Sequence, residues 1–213
     1  MSEDMLGQVV RKLAQLPTAM LGMLFDLLNK ITGPKGTMWL RRLKRFLRGE
    51  NPFGVPKTFE VTTDGRIGEQ LVADIEAQGD HVGDIAKQLI HGKKFVATNG
   101  ITYKLALIMG DEFKDDDRIT SNIRAEAAKH GYVDPPMELA LYVREMFSDE
   151  DLEQIGLWAL IIMHEAVADS DGNLSLLGLD RDVGGRSLSA FNVSPDDEWD
   201  RGFGFLFLVP ASN

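Results

Sequence analysis

From Leu157 onward, the apolar residues of the chain stop recurring at helical spacing and gather into short, nearly continuous runs. The first of these runs is LWALIIMHEAV, at 157–167, and the last is FGFLFLV, at 203–209. Because neighbouring strand residues point to opposite faces, runs of this kind belong to strands that are covered on both sides. With NLSLLGLD and RSLSAFNV between them, they predict a four-stranded antiparallel sheet packed against helices.

The region before this sheet mixes helical and extended patterns. A short strand is predicted at 58–61, and two helices follow it, the first ending near Gly79 and the second running from Asp80 to Gly92. The run KFVATNGITYKLALIM, at 94–109, predicts a hairpin that turns at Asn99-Gly100, because both central positions of such a turn need positive φ. Helices are also predicted at about 119–130 and 136–147. The chain is therefore expected to belong to the α+β class.

Residues 4–31 carry the apolar stripe of an amphipathic helix, and Pro17 must kink or divide that helix. Members of the stripe recur at alternating spacings of three and four residues, and they are Leu6, Val9, Leu13, Leu16, Met20, Met23 and Leu27. The stripe has three interpretations: it is a coiled-coil seam, a face that packs on the protein's own core, or a face that lies on a membrane surface.

The segment TMWLRRLKRFLRG, at 37–49, predicts a second amphipathic helix with one apolar and one basic side. The apolar side holds Trp39, Leu40, Leu43, Phe46 and Leu47. The basic side holds Arg41, Arg42, Lys44, Arg45 and Arg48. A helix of this composition suits an anionic lipid surface, a phosphate backbone or an acidic protein partner, unless its apolar side packs on the body of the protein.

Charge divides the chain unevenly. The whole chain carries a formal charge of −10, but residues 1–50 carry +5 and residues 51–213 carry −15. The acidic excess argues against a broad nucleic-acid-binding surface, since affinity for phosphate comes mainly from clustered Lys and Arg. Together with the Gly/Pro-rich linker GENPFGVPK, at 49–57, this pattern predicts three parts: a basic helical arm at 1–50, a small α+β unit at 51–110, and an α+β domain at 111–213.

Targeting signals and cysteine chemistry are not evident in the sequence. The chain has no cysteine, which excludes disulfides and thiolate metal ligands. Its longest mostly apolar run, LPTAMLGMLFDLL, is broken by Pro17 and Asp26 and is shorter than the roughly 20 residues that a membrane span needs. The start of the chain also lacks the pattern of a signal peptide. We expect a cytoplasmic protein.

The segment VADSDGNLSLLGLDRDVGGR, at 167–186, suggests a calcium loop at first sight. With Gly172 at the sixth position of an EF-hand loop, Asp169 and Asp171 take positions three and five, but Val167 and Gly178 fall where the first and last ligands belong. A hairpin turn between two strands explains the same residues, with Asp169 bonded to nearby backbone. No metal or cofactor is expected here.

An enzymatic alternative centres on His164 and Glu165, which follow the first apolar run. One of them, joined by Asp169, Asp180 or Asp182, would form an acid/base or metal site, although an isolated His or Glu at a strand end is more often structural. The segment DRDVGGR, at 180–186, forms either a loop between strands or an anion-binding nest, in which Gly184 and Gly185 supply backbone N–H groups and Arg186 or Arg181 supplies the charge. A small metal-dependent or acid/base hydrolase would then use His164, Glu165, Asp169, Asp171 and Arg186.

Trp199, in PDDEWDRG, has two interpretations. Its ring either packs the turn onto the sheet or, exposed between acidic residues, anchors a protein partner. We count it with Trp39, Arg41, Arg42, Lys44 and Arg45 among the candidate binding residues.

Four segments in this order resemble a family of short bacterial proteins found in genomes of uncultured candidate-phylum bacteria, for which no activity is known. They are FLRGENPF, DIAKQLIHGKKF, DSDGN after a strand, and SPDDEWD before an aromatic strand. The resemblance covers roughly 38–213, and its best motifs are Asp169 to Gly172 and Pro195-Asp196 with Trp199-Asp200. Members of the family often have Trp where this chain has Ser187, and they begin near the basic helix, which implies that residues 1–37 are an extension.

These observations favour a non-catalytic interaction or regulatory protein over the hydrolase. A protein partner or a second copy is expected to bind residues 4–48, and an anionic membrane or nucleic acid is a further partner for residues 37–48. A small-molecule substrate is not evident from the sequence.

Overall fold

The computed structural model describes residues 3–33, 36–47, 58–182, 185–194 and 196–211. The chain divides into two compact units, residues 1–53 and residues 54–213. The predicted linker at 49–57 and the glycine at position 184 of the predicted nest lie outside the described residues.

Three helices make up the described part of the N-terminal unit: α1 (Glu3–Ala14), α2 (Thr18–Thr32) and α3 (Gly36–Leu47). Pro17 has φ −57° and ψ 146°, an extended conformation that ends the first helix before the second begins. Of the two outcomes that the sequence predicts at this proline, a kink or a division of the helix, the structure has the division. Helices α2 and α3 pack against each other.

The described part of the C-terminal unit contains five α-helices and eight strands. Its helices are α4 (Gly68–Ala77), α5 (Asp84–Ile90), α6 (Thr120–Lys129), α7 (Leu139–Met146) and α8 (Asp149–Gln154). Its strands are β1 (Thr58–Asp64), β2 (His81–Val82), β3 (Asn99–Met109), β4 (Ala159–Ile162), β5 (Val167–Ala168), β6 (Leu174–Asp182), β7 (Gly185–Asn192) and β8 (Phe203–Leu208).

All eight strands belong to one mixed sheet, in the order β1-β3-β8-β4-β6-β7-β2, with β5 paired to β6. Two neighbouring pairs are parallel, β4 with β8 and β2 with β7, and the others are antiparallel. The α+β class is confirmed. The four-stranded antiparallel sheet is wrong, because strands from residues 58–109 join the C-terminal strands and because β8 lies parallel to β4. The segments predicted as separate units, 51–110 and 111–213, thus contribute strands to one sheet.

Apolar side chains cover both faces of the central strands. Along β4, Leu160 and Ile162 belong to one buried cluster, and Ala159 and Ile161 belong to another. The first cluster includes apolar residues of α4, α5 and α7, and the second includes Ile123 of α6. Helices on both faces therefore explain why these runs are continuously apolar.

The hairpin predicted at Asn99-Gly100 is wrong. Residues 99–109 form the single strand β3, and Asn99, at its first position, pairs with Asp64 of β1. Gly100 has φ +69°, but Asn99 does not have the positive φ that a two-residue turn of this kind needs. Instead of pairing in a hairpin, the preceding segment is held by the start of α7. The backbone N–H and hydroxyl of Thr98 both donate to the buried carboxylate of Glu138, at 2.8 and 2.6 Å.

The segment 80–92 also differs from its prediction. Asp80 does not begin a helix, since His81 and Val82 form β2 beside β7, and α5 starts at Asp84. The buried side chain of Asp80 pairs instead with Arg144 and Arg186.

Candidate functional site

Asp169 stabilises the turn between β5 and β6. Its carboxylate accepts the backbone N–H groups of Asp171 and Asn173, each at 2.9 Å, and Gly172 has φ +86°. Although partial desolvation opposes the shift, these hydrogen bonds hold the pKa of Asp169 below its ordinary value. The hairpin interpretation of this segment is confirmed. In the described part of the chain, no three His, Asp or Glu side chains are arranged to hold a metal ion.

His164 connects two strands from a buried position, with 2% of its surface exposed. The backbone N–H of Leu177, in β6, donates to Nε2 at 2.9 Å, so the neutral ring carries its proton on Nδ1 and donates to the carbonyl of Glu165 at 2.6 Å. Burial lowers the pKa of His164 to about 4. Because both ring nitrogens are engaged within the fold, His164 has the geometry of a structural residue rather than that of a general base.

Glu165 lies with His164 in the segment between β4 and β5, but it is exposed rather than buried. Its side chain is 82% exposed and accepts a hydrogen bond from Lys94 Nζ at 3.0 Å. Lys94 follows α5 in the chain, so this ion pair joins two segments that are distant in sequence.

Lys94, His164 and Glu165 line a cleft of about 560 Å³, together with Asp134. Arg124 of α6 fixes one wall of this cleft. Its guanidinium pairs with Asp134 and donates to the carbonyls of Met163 and His164, at 3.3 and 2.9 Å. The sequence identified His164 and Glu165 as candidates, but it gave no sign of Lys94, Arg124 or Asp134.

Arg186 lies in a second polar cluster, at the opposite end of β6. It is the second residue of β7 and pairs with Arg181, whereas the turn that contains Asp169 and Asp171 precedes β6 near Ser175. Six residues of strand separate these two ends by about 20 Å. The structure thus does not bring together the five residues of the predicted hydrolase site.

The second cluster is built around Arg144, which is completely buried in α7. Its guanidinium donates to the carbonyls of Phe147 and Ser187 and lies 3.6 Å from Asp80. Arg186 pairs with the same Asp80 carboxylate at 3.2 Å. Burial raises the pKa of Asp80, and the two guanidinium groups oppose that shift. This network ties α7 to β7 and to the segment before β2.

Trp199 is buried, with 7% of its surface exposed. Its indole Nε1–H donates to the hydroxyl of Thr120 at 2.9 Å, and its ring packs edge-on against Phe205 at a centroid distance of 5.6 Å. A ring in this position holds the turn on the sheet, so it is not available as the exposed partner anchor that the sequence left open.

The N-terminal unit carries a high density of exposed apolar side chains. Of the large apolar residues exposed in the described chain, nine lie in this unit and eight lie in the C-terminal unit, which is about three times as long. The nine are Val10, Met20, Leu21, Met23, Phe25, Leu28, Leu40, Phe46 and Leu47. Among the described residues, no helix is long and apolar enough to cross a membrane.

Two of the predicted binding residues of this unit can be placed. Trp39 is half-buried, with Lys30 Nζ of α2 lying 4.4 Å from its ring centroid, and Lys44 is exposed. Arg41, Arg42 and Arg45 are part of α3, but their side chains lie outside the described part of the chain.

Comparisons with protein-family models, with curated proteins and with solved structures found no match to this chain. Its function is therefore inferred from its own residues.

Proposed function

We propose that this protein is a non-catalytic interaction protein that attaches to an anionic membrane surface through residues 4–48. The observation that carries the proposal is the exposed apolar surface of α2 and α3 beside the basic residues of α3. Within 36–47 the sequence has four basic and no acidic residues. Helices that combine Lys and Arg with exposed Phe and Leu are suited to the interface between lipid headgroups and acyl chains.

A lipid surface suits α2 better than a single partner helix does. At 100° per residue, the exposed apolar residues from Met23 round to Phe25 span about 200° of the helix circumference. A helix that packs on one partner needs a narrower stripe of roughly 100°. A second copy would also bring the cations of two α3 helices together unless their charges faced apart.

Nucleic acid is disfavoured as the anionic partner by the exposed apolar side chains. Binding to a phosphate backbone does not require exposed side chains such as Phe25, Phe46 and Leu47, whereas insertion into a lipid interface does. The proposal places the protein on the cytoplasmic side of a membrane, where anionic lipid is concentrated.

The strength of attachment can be gauged from these groups. Four half-exposed apolar side chains that enter the lipid contribute about 1 kcal/mol each, and four cations near anionic lipid contribute about 1 kcal/mol each. Their sum of about 8 kcal/mol exceeds the roughly 5 kcal/mol of a single myristoyl chain, which binds membranes only reversibly. Four apolar side chains alone, or four cations alone, contribute about 4 kcal/mol, which is below that value.

The test is co-sedimentation of the full chain with phosphatidylcholine vesicles that either contain or lack phosphatidylglycerol. We expect the protein to sediment only with the vesicles that contain phosphatidylglycerol, and to sediment less as the salt concentration is raised. Light scattering without lipid gives the molar mass in parallel. A stable oligomer that does not bind the vesicles would indicate that the helices bind a second copy of the chain rather than lipid, which would contradict the proposal. Binding to DNA without binding to vesicles would also contradict it.

Two sets of substitutions test the two contributions separately. Serine at Phe25, Phe46 and Leu47 should abolish sedimentation, whereas serine at Val96 and Ile101, exposed apolar residues of the C-terminal unit, should not. Glutamine at the four cations of α3 should also abolish it. The matched control replaces four lysines of the C-terminal unit with glutamine, at Lys93, Lys104, Lys114 and Lys129.

A further inference from the structure

The cleft beside His164 lies where the carboxyl ends of two parallel strands meet. Glu165 and Val167 follow β4, and Leu208 ends β8, its parallel neighbour. Ligands of open sheets bind outside the carboxyl ends of parallel strands, because the chain leaves the sheet there and opens a crevice. The volume of about 560 Å³ is within the range of small-molecule sites.

Hydrogen bonds fix the segments that form the walls of the cleft. Arg124 joins Asp134 to the end of β4, and both ring nitrogens of His164 are bonded within the fold. The loop that carries Lys94 is held by Thr98, which donates twice to the buried Glu138 beside the opposite wall. The cleft is therefore preformed, so a ligand would not have to order it.

The charged side chains of the cleft determine which charge on a ligand is favoured. Asp134 is already paired with Arg124, and the guanidinium of Arg124 is also held by its hydrogen bonds to two backbone carbonyls. Lys94 is paired with Glu165, whose side chain is 82% exposed, against 54% for Lys94. An ion pair this exposed is worth little in water, and Glu165 is the partner that is freer to move away. Displacement of Glu165 leaves an ammonium group at the edge of the cleft.

The remaining lining is apolar and comes from Pro135, Pro136, Met137, Val167 and Leu208. Because a proline nitrogen has no N–H, these two residues present mainly hydrocarbon to the cleft. From this arrangement we propose that the cleft binds a small carboxylate with an apolar body, whose carboxylate replaces Glu165 as the partner of Lys94. The site belongs to the C-terminal unit and does not depend on attachment through the N-terminal helices.

Hexanoate is the probe, and the assay is residue-resolved NMR of the full chain during titration. We expect shifts at residues 134–137 and 164–167 and at Lys94, with a dissociation constant on the order of 1 mM for a ligand of this size. Hexanol and hexylammonium have the same apolar body with no charge or the opposite charge, and they should bind more weakly. Acetate keeps the carboxylate without the apolar body and should also bind more weakly.

Two substitutions give opposite expected effects on hexanoate. Lys94→Gln should weaken binding about fivefold, and Glu165→Gln, which removes the competing carboxylate, should tighten it about threefold. Lys93→Gln is the matched control for the first and should leave binding unchanged. A role of the ion pair in folding alone would not produce tighter binding in Glu165→Gln.

Several results would overturn the proposal. Hexanoate could leave the cleft residues unshifted or shift only residues of α2 and α3, which would indicate general uptake by an apolar surface. If hexanol bound as tightly as hexanoate, Lys94 would have no role in binding. If hexylammonium bound more tightly than hexanoate, the cleft would favour a cation rather than an anion.

Discussion

His164 should make the stability of the folded protein depend on pH in a way that one substitution removes. Burial lowers its pKa from 6.5 to about 4. On acidification, the unfolded chain therefore binds a proton on this residue before the folded protein does. The contribution of His164 to the free energy of unfolding is fully present above pH 6.5 and is lost as the pH falls from 6.5 towards 4. The difference in pKa corresponds to about 3 kcal/mol at 1.36 kcal/mol per unit.

The perturbation is His164→Gln. Glutamine does not titrate, and its amide oxygen can accept the backbone N–H of Leu177 that Nε2 of the histidine accepts now. The free energy of unfolding, measured by urea denaturation of both proteins, gives a difference in which titration of the carboxylates cancels. We expect the advantage of the histidine protein over the variant to shrink by about 3 kcal/mol between pH 7 and pH 4.

The matched control is His81→Gln, at an exposed position in β2. Its difference from the unsubstituted protein should stay nearly constant over the same range of pH. If the His164→Gln difference also stays constant, the ring is not held neutral by burial, and its assignment as a structural bridge between β4 and β6 is wrong.

Three further substitutions test the packing of the C-terminal unit by urea denaturation. Arg144→Met should lower the free energy of unfolding by about 3–5 kcal/mol, because it removes a buried partner of Asp80 and two hydrogen bonds to carbonyls; a loss below 1 kcal/mol would mean that Arg186 suffices. Trp199→Phe should cost about 2 kcal/mol, since it leaves the buried Thr120 hydroxyl without its indole donor, whereas an exposed anchor would cost almost nothing. Gly110→Ala should cost about 1–3 kcal/mol, because a Cβ there would lie 2.7 Å from a backbone oxygen that cannot move aside easily; unchanged stability would refute that close approach.

The positions of three C-terminal strands could be predicted closely because the signal is local, whereas the run at 157–167 is not one strand but contains β4 and the start of β5. NLSLLGLD, RSLSAFNV and FGFLFLV match β6, β7 and β8 to within one or two residues. Apolar residues on both faces of a strand are required wherever helices cover both faces of a sheet, and this requirement is visible in a single segment.

The pairing of the strands could not be predicted in the same way. No local pattern states that β8 lies parallel to β4 or that β1 and β3 extend the sheet. The false hairpin at Asn99-Gly100 has the same origin. The backbone of Thr98 bonds to Glu138, 40 residues later in the chain, and this contact competes with the local turn preference.

The cleft shows the same limit for sites. The end of the apolar run identified His164 and Glu165, but the partner of Glu165 lies 71 residues earlier in the sequence. The sequence predicts a helix from about 136, whereas Asp134, Pro135 and Pro136 form a wall of the cleft and α7 begins at Leu139. A sequence pattern describes a segment, and a cleft is made by several segments that meet.

Under the proposed function, the N-terminal helices enter an anionic lipid surface. Because the chain has no cysteine, a single introduced cysteine can carry an environment-sensitive fluorophore at a chosen position. Phe46→Cys in α3 and Val96→Cys in the C-terminal unit form a matched pair, since the native side chains are 63% and 64% exposed.

The decisive measurement is the fluorescence of these two labelled proteins as vesicles containing phosphatidylglycerol are added. We expect a blue shift and a several-fold rise in intensity at position 46, and no change at position 96. An unchanged signal at position 46, or the same change at both positions, would contradict insertion of the N-terminal helices.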